Sequence, residues 1–208
     1  MGHMSIRFAV FVLGLSLIVS AGCLNLGEGT QETTRYYVLS PLSISELKTE
    51  VLDDTKSVAI GLGPVTFPEY LNRPQVVVRG GRNQLQIAEF ARWAEPLGEN
   101  FSRVLAENLS SLLATNHITL YGSKRSMPTK YQVTVDVILF DGTPGGNASL
   151  VARWTVLGDD RARVLQKKKS SFSEPTDGQS YEALVSAESR LVTALSREIA
   201  AAINAVAQ

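Results

Sequence analysis

The sequence predicts an α/β fold, a single domain in which a mixed β-sheet carries two long amphipathic helices. Three observations predict it. Residues 97–113 set apolar side chains at Leu97, Phe101, Val104, Leu105, Leu109, Leu112 and Leu113, a stripe at the 3.6-residue period of a helix. Residues 181–206 repeat the pattern with Leu184, Val185, Leu191, Val192, Leu195, Ile199 and Ile203. Elsewhere the period drops to two. Tyr131, Val133, Val135, Val137 and Leu139 alternate with Gln132, Thr134 and Asp136, which marks a strand with one buried face.

In chain order, Tyr36-Tyr37-Val38-Leu39 is expected as a first strand, stopped by Ser40-Pro41. Residues 58–62 form a second, ended by Gly63-Pro64. Residues 76–79 and 84–87 flank Gly80-Gly81-Arg82-Asn83, a hairpin turn. The first helix follows, with Pro96 at its first position and Glu95 near its positive end. Residues 118–121 make a short strand. The alternating strand then turns through the Gly- and Pro-rich residues 141–147 and pairs with residues 150–157. Residues 163–172 give a more polar strand, and the second helix closes the chain.

Before the domain lies an address. Arg7 precedes a twelve-residue apolar stretch, residues 8–19, which suits a signal peptide and falls short of the ~20 residues of a spanning helix. Residues 1–3 match a common cloning remnant and carry no fold information. The stretch runs into Ser20-Ala21-Gly22-Cys23, and Cys23 is the only cysteine. Ordinary cleavage would leave a free thiol there, and a permanent anchor would need more apolar length than Leu24-Asn25-Leu26-Gly27 supplies. The segment resembles the bacterial lipobox, with Ser20 standing where leucine is usual. That resemblance implies residues 1–22 as a signal peptide and acyl chains on Cys23, enough of them for stable attachment. By the sorting convention of such lipoproteins, Leu24 in place of aspartate implies the outer membrane, on its periplasmic face. Residues 23–35 read as a tether and residues 36–208 as the domain. Twelve tether residues reach at most ~40 Å when extended and about 20 Å as a coil.

Charge adds little direction. The chain has 20 basic and 20 acidic residues, so no global field favours nucleic acid. Without the leader about 185 residues remain, enough for one domain with a real core. Chemistry-bearing patterns are sparse. Gly61-Leu62-Gly63 lacks the third glycine and the following helix of a dinucleotide site, and there is no Gly-x-Ser-x-Gly elbow. His117 has no partner cluster in sequence, so a structural role is expected rather than metal binding. Asp53-Asp54 and Asp159-Asp160 read as loop residues. Trp93 and Trp154 are expected in the core. Lys167-Lys168-Lys169 suits a solvated edge strand that resists unwanted pairing, with contact to acidic headgroups as the alternative. No enzyme activity, metal or cofactor is expected beyond covalent lipid on Cys23.

Residues 67–75 combine two prolines, two aromatics and an arginine. They are either a rigid connection or a partner-binding projection made of Pro68, Tyr70, Leu71, Arg73 and Pro74, with Tyr70 and Arg73 as anchors. Together, Tyr36-Tyr37-Val38-Leu39, Pro68-x-Tyr70-Leu71-x-Arg73-Pro74, Trp93-x-Glu95-Pro96-Leu97, Leu105-Ala106-Glu107-Asn108-Leu109 and the strand over residues 131–140 resemble the ABC-type transport auxiliary lipoprotein family. The resemblance implies a non-enzymatic periplasmic lipoprotein whose partner is an MCE-domain (mammalian-cell-entry) transporter protein, serving lipid transport between membranes and envelope integrity. A homo-oligomeric ring would suit the end of such a conduit. A lipid carrier with its own cavity and an assembly factor of another envelope machine are the alternatives.

Overall fold

The computed structural model describes residues 33–43, 58–122 and 128–207. The signal peptide, Cys23, most of the tether and Asp53-Asp54 lie outside these residues.

The strands are β1 (Arg35–Tyr37), β2 (Ile60–Thr66), β3 (Gln75–Gly81), β4 (Gln84–Trp93), β5 (Ile118–Leu120), β6 (Tyr131–Gly142), β7 (Asn147–Leu157) and β8 (Val164–Pro175). The helices are α1 (Leu97–Leu112) and α2 (Tyr181–Ala207), and a 3₁₀ turn spans Glu69–Leu71. The expected class holds, with the strands divided between two sheets. A three-stranded sheet has the order β1-β4-β3, and a five-stranded sheet has the order β5-β2-β6-β7-β8. Parallel pairs (β1/β4, β2/β5, β2/β6) and antiparallel pairs (β3/β4, β6/β7, β7/β8) mix in both.

The period-two pattern sets the larger sheet. Val133 faces Val156, Val135 faces Trp154 and Phe140 faces Leu150 across β6 and β7, and these side chains are buried. Both helix stripes are buried with them, except Leu112 and Leu113 at the end of α1, which are half-buried. The helices add a polar link, since Asn108 Nδ2 on α1 donates to Ser196 Oγ on α2 at 3.2 Å. Ser180 caps α2 by accepting from Ala183 N at 3.1 Å. Phe101 sits edge-on between Phe67, at 5.2 Å, and Phe140, at 5.5 Å, a favourable aromatic geometry. Trp93 and Trp154 are core residues, as expected. The Trp154 indole N–H reaches both Ser170 Oγ and Glu198 Oε1 at 3.0 Å. β8 is the open edge of the larger sheet, and its three lysines are exposed there.

Some boundaries move. β1 starts one residue earlier than expected and ends at Tyr37. Leu39 and Leu42 leave the ladder because their amides donate to side chains of α1 instead. α1 begins at Leu97, so Pro96 is the cap rather than the first helical residue. Gly63-Pro64 does not end β2, contrary to the expectation. The strand slips register between Leu62 and Val65 and resumes. At the slip the Gln132 side-chain amide donates to the Gly63 carbonyl, replacing ladder bonds. Glycine is required twice here. A Cβ on Gly61 would lie 2.0 Å from Gln132 Oε1, and Gly63 has φ of 110°.

Candidate functional site

An open cleft of about 1030 Å³ lies where residues 62–74, 93–103 and 120–121 converge. One side comes from the end of β2 and the turn after it: Pro64, Phe67, Leu71 and Pro74. The other comes from the junction of β4 and α1, with Trp93, Pro96 and Gly98. Leu120 and Tyr121 complete it, and Tyr121 is exposed. The two phrases separated by two strands in sequence thus share one surface. Their backbones are joined directly, because Trp93 N donates to Pro74 O at 2.7 Å.

The five candidate contact residues separate. Leu71 is only 4% exposed and lines the cleft from its floor, packed into the core. Arg73 and Pro74 line it. Arg73 Nε donates to Tyr70 O at 2.9 Å, which folds the guanidinium back onto its own turn. Pro68 stands half-buried at the start of the 3₁₀ turn, with its carbonyl accepting from Leu71 N at 3.0 Å. Tyr70 does not line the cleft. Three residues per turn point Glu69, Tyr70 and Leu71 in three directions, and Tyr70 points away. Its hydroxyl donates to Asp141 Oδ2 at 3.4 Å. Burial and the facing Asp141 carboxylate push that hydroxyl's pKa above its usual value.

Asp141 is the centre of a second, buried cluster. Arg79 on β3 grips it with two nitrogens, Nη2 on Oδ2 and Nε on Oδ1, the latter at 3.2 Å, the forked geometry that suits a carboxylate. The pair ties the small sheet to the large one. Glu188 of α2 is 1% exposed, and its Oε2 has no hydrogen-bond partner among the described residues. Burial, then repulsion from Asp141, raises its pKa well above the usual carboxylate range.

Charged groups border the cleft. Glu95 Oε1 accepts from Arg103 Nη2 at 2.5 Å and from Asn100 Nδ2 at 2.6 Å, and Arg103 continues to Glu107 at 3.1 Å. The fully buried Asn100 accepts from Leu39 N at 2.7 Å through its Oδ1. Asn108, two turns on, does the same for Leu42 N at 2.7 Å. Sequence reasoning missed both asparagines. The available signal was their place beside the apolar stripe of α1, where an uncharged polar group needs a partner. Among the described residues no cluster of three or more His, Cys, Asp or Glu could hold a metal, and no helix is long and apolar enough to cross a membrane. The cleft offers apolar rings, prolines and a charged border, which is the chemistry of binding.

The family model for the ABC-type transport auxiliary lipoprotein component matches residues 37–200. The chain belongs to this family of transport auxiliary lipoproteins. Two solved structures share its fold. One is an uncharacterised protein of 21% identity, covering 82% of this chain and 99% of its own, with a TM-score of 0.65. The other is a DUF330-family protein from Xanthomonas campestris, 14% identical, covering 84% and 97%, with a TM-score of 0.67. No curated protein matches the sequence.

Proposed function

We propose that the chain is an outer-membrane lipoprotein, anchored through Cys23, that serves as a non-enzymatic adaptor of an MCE-type lipid transport system. It would act as a counterpart of paraquat-inducible protein C, which its phrases resemble. One observation carries the reading. The two most specific family phrases, far apart in sequence, build one cleft of about 1030 Å³. In a family of transport auxiliary components, a shared concave surface of that kind suits a segment of the transporter protein. Prolines on both sides keep its shape fixed before binding, which lowers the ordering cost of association. Pro68, Arg73 and Pro74 supply the turn side of the contact, Leu71 supports it from below, and Tyr70 locks the turn to Asp141. Self-association into a ring would present several such clefts to one conduit.

The test is recovery of the MCE-domain protein from solubilised envelopes by the tagged, full chain. The wild type should bring it down, and Arg73→Glu should reduce the yield several-fold. Absence of any MCE-domain protein with the wild type would end the adaptor reading. Cys23→Ser should move the chain out of the membrane fraction; retention there would remove the anchor.

A second reading draws on the cleft's size, which lies at the upper end of small-ligand sites. The domain would then carry lipid itself. Native mass spectrometry after mild extraction separates the two. One copurified lipid per chain supports the carrier, and its absence supports the adaptor.

A further inference from the structure

Among the described residues, the small sheet leaves a face exposed where the chain enters the domain. Along residues 36–39 exposure alternates. Tyr37 and Leu39 are buried, while Tyr36 and Val38 are 65% and 46% exposed. β1 pairs with β4 so that Tyr36 sits beside Arg92. On β4 the same alternation buries Ala91 and Trp93 and turns Phe90, 37% exposed, and Arg92 the other way. Tyr36, Val38, Phe90 and Arg92 therefore share the outer face. Arg92 Nε is buried with no hydrogen-bond partner among the described residues. Arg35, at the start of β1, pairs with Ala91 and so belongs to the opposite face, which leaves Arg92 as the charged group of the outer one.

We infer that this face is the domain's contact with the lipid surface to which it is tethered. The inference rests on the proposed lipidation of Cys23. Eleven residues, Leu24 to Thr34, then separate the anchor from β1, so the face lies within ~40 Å of the bilayer at full extension. Its chemistry fits an interface. Tyr36 places an amphipathic ring at headgroup depth, where such aromatics concentrate, and Phe90 adds an apolar ring on the same face. Arg92 supplies a guanidinium group for phosphate oxygens. A second copy of the chain fits less well, because the three apolar side chains expose only on the order of 300 Å², against roughly 800 Å² per partner in a stable interface. A patch this small binds membrane weakly by itself. The tether holds it at an effective concentration of about millimolar, so a weak contact suffices to orient the domain.

Brominated-lipid quenching tests the contact on the full, lipidated chain in phosphatidylethanolamine–phosphatidylglycerol vesicles. The probe is Tyr36→Trp, with Tyr121→Trp, at the exposed lip of the cleft, as the control. The buried Trp93 and Trp154 give a background that the wild type measures. Flotation reports the anchor separately. The emission added by Tyr36→Trp should fall several-fold in brominated vesicles, while that added by Tyr121→Trp holds. Equal emission from Tyr36→Trp in both lipids, in protein that floats, overturns the contact and leaves the anchor standing. Protein that does not float refutes the anchor, and the contact with it. Unquenched emission together with an oligomer that Tyr36→Asp dissociates would assign the face to a second copy and overturn the membrane contact.

Discussion

The two sheets are held in different ways. In the five-stranded sheet, long antiparallel strands pair almost continuously from Gln132–Leu157 to Asn147–Pro175, and the buried face follows from alternation. Both sheets slip register and hold a three-residue strand, but neither ladder of the three-stranded sheet is as long as β6/β7 or β7/β8. Side chains from elsewhere fix it: the amides of Asn100 and Asn108, and Asp141 through Arg79. Thr143 Oγ1 adds a bond to Arg79 O at 2.8 Å. The small sheet and its approach segment carry one wall of the cleft and the proposed membrane face. The proposed contacts thus draw on the part whose position depends on polar pins, while the laddered sheet supplies the platform.

That contrast can be broken from the platform first. Trp154→Ala should cost about 3–5 kcal/mol and lower the midpoint of urea unfolding for the whole domain, because Trp154 is fully buried between β7 and α2. A drop confined to β1 and β4 in hydrogen exchange would contradict the platform role. The pins come next. Asn108→Ala should cost about 1–3 kcal/mol by stranding the Leu42 amide. It should also speed exchange at Leu42 more than at any β6 amide. Uniform loss of protection would mean the two sheets are not separately held.

The third test sharpens the electrostatics between the sheets. Glu188 has a folded-state pKa raised above its ordinary value of 4.5 by burial and by Asp141. The folded state therefore keeps the proton longer than the unfolded state. The stability this contributes is fully present below the unfolded pKa and is lost as pH rises from there through the folded pKa. Glu188→Gln should flatten that decline, seen as a smaller fall in unfolding midpoint between mildly acidic and alkaline buffer. An unchanged slope would show that Glu188 does not set it. The smallest effect is expected on the outer surface of the platform. The exposed Arg153–Asp136 pair, 2.9 Å apart, should contribute under ~1 kcal/mol, so Asp136→Ala should barely move the midpoint.

Much of the platform was legible in the sequence. The two helix stripes, the alternation of β6 and the edge lysines each report burial, which is a property of the residue type at a given period. The cleft was half legible. Its two phrases stood out by their prolines and aromatics, yet Tyr70 looked equivalent to Leu71, Arg73 and Pro74 as a contact residue. Only the 3₁₀ turn, with its three-way division of side chains, separates them. The passage of β2 through Gly63-Pro64 was illegible for a related reason: its replacement bond comes from Gln132, far along the chain.

By itself the sequence determined the secondary-structure periods, the single core and the family phrases, because these depend on neighbours along the chain. The tertiary structure decided how the strands divide between two sheets, that Asn100 and Asn108 clamp β1's continuation, and that residues 68–74 and 93–97 face one another. The clamp depends on polar partners 60 or more residues apart, Leu39 with Asn100 and Leu42 with Asn108, and the cleft on Trp93 meeting Pro74 across the β3–β4 hairpin; no local pattern encodes which partner a buried amide will find.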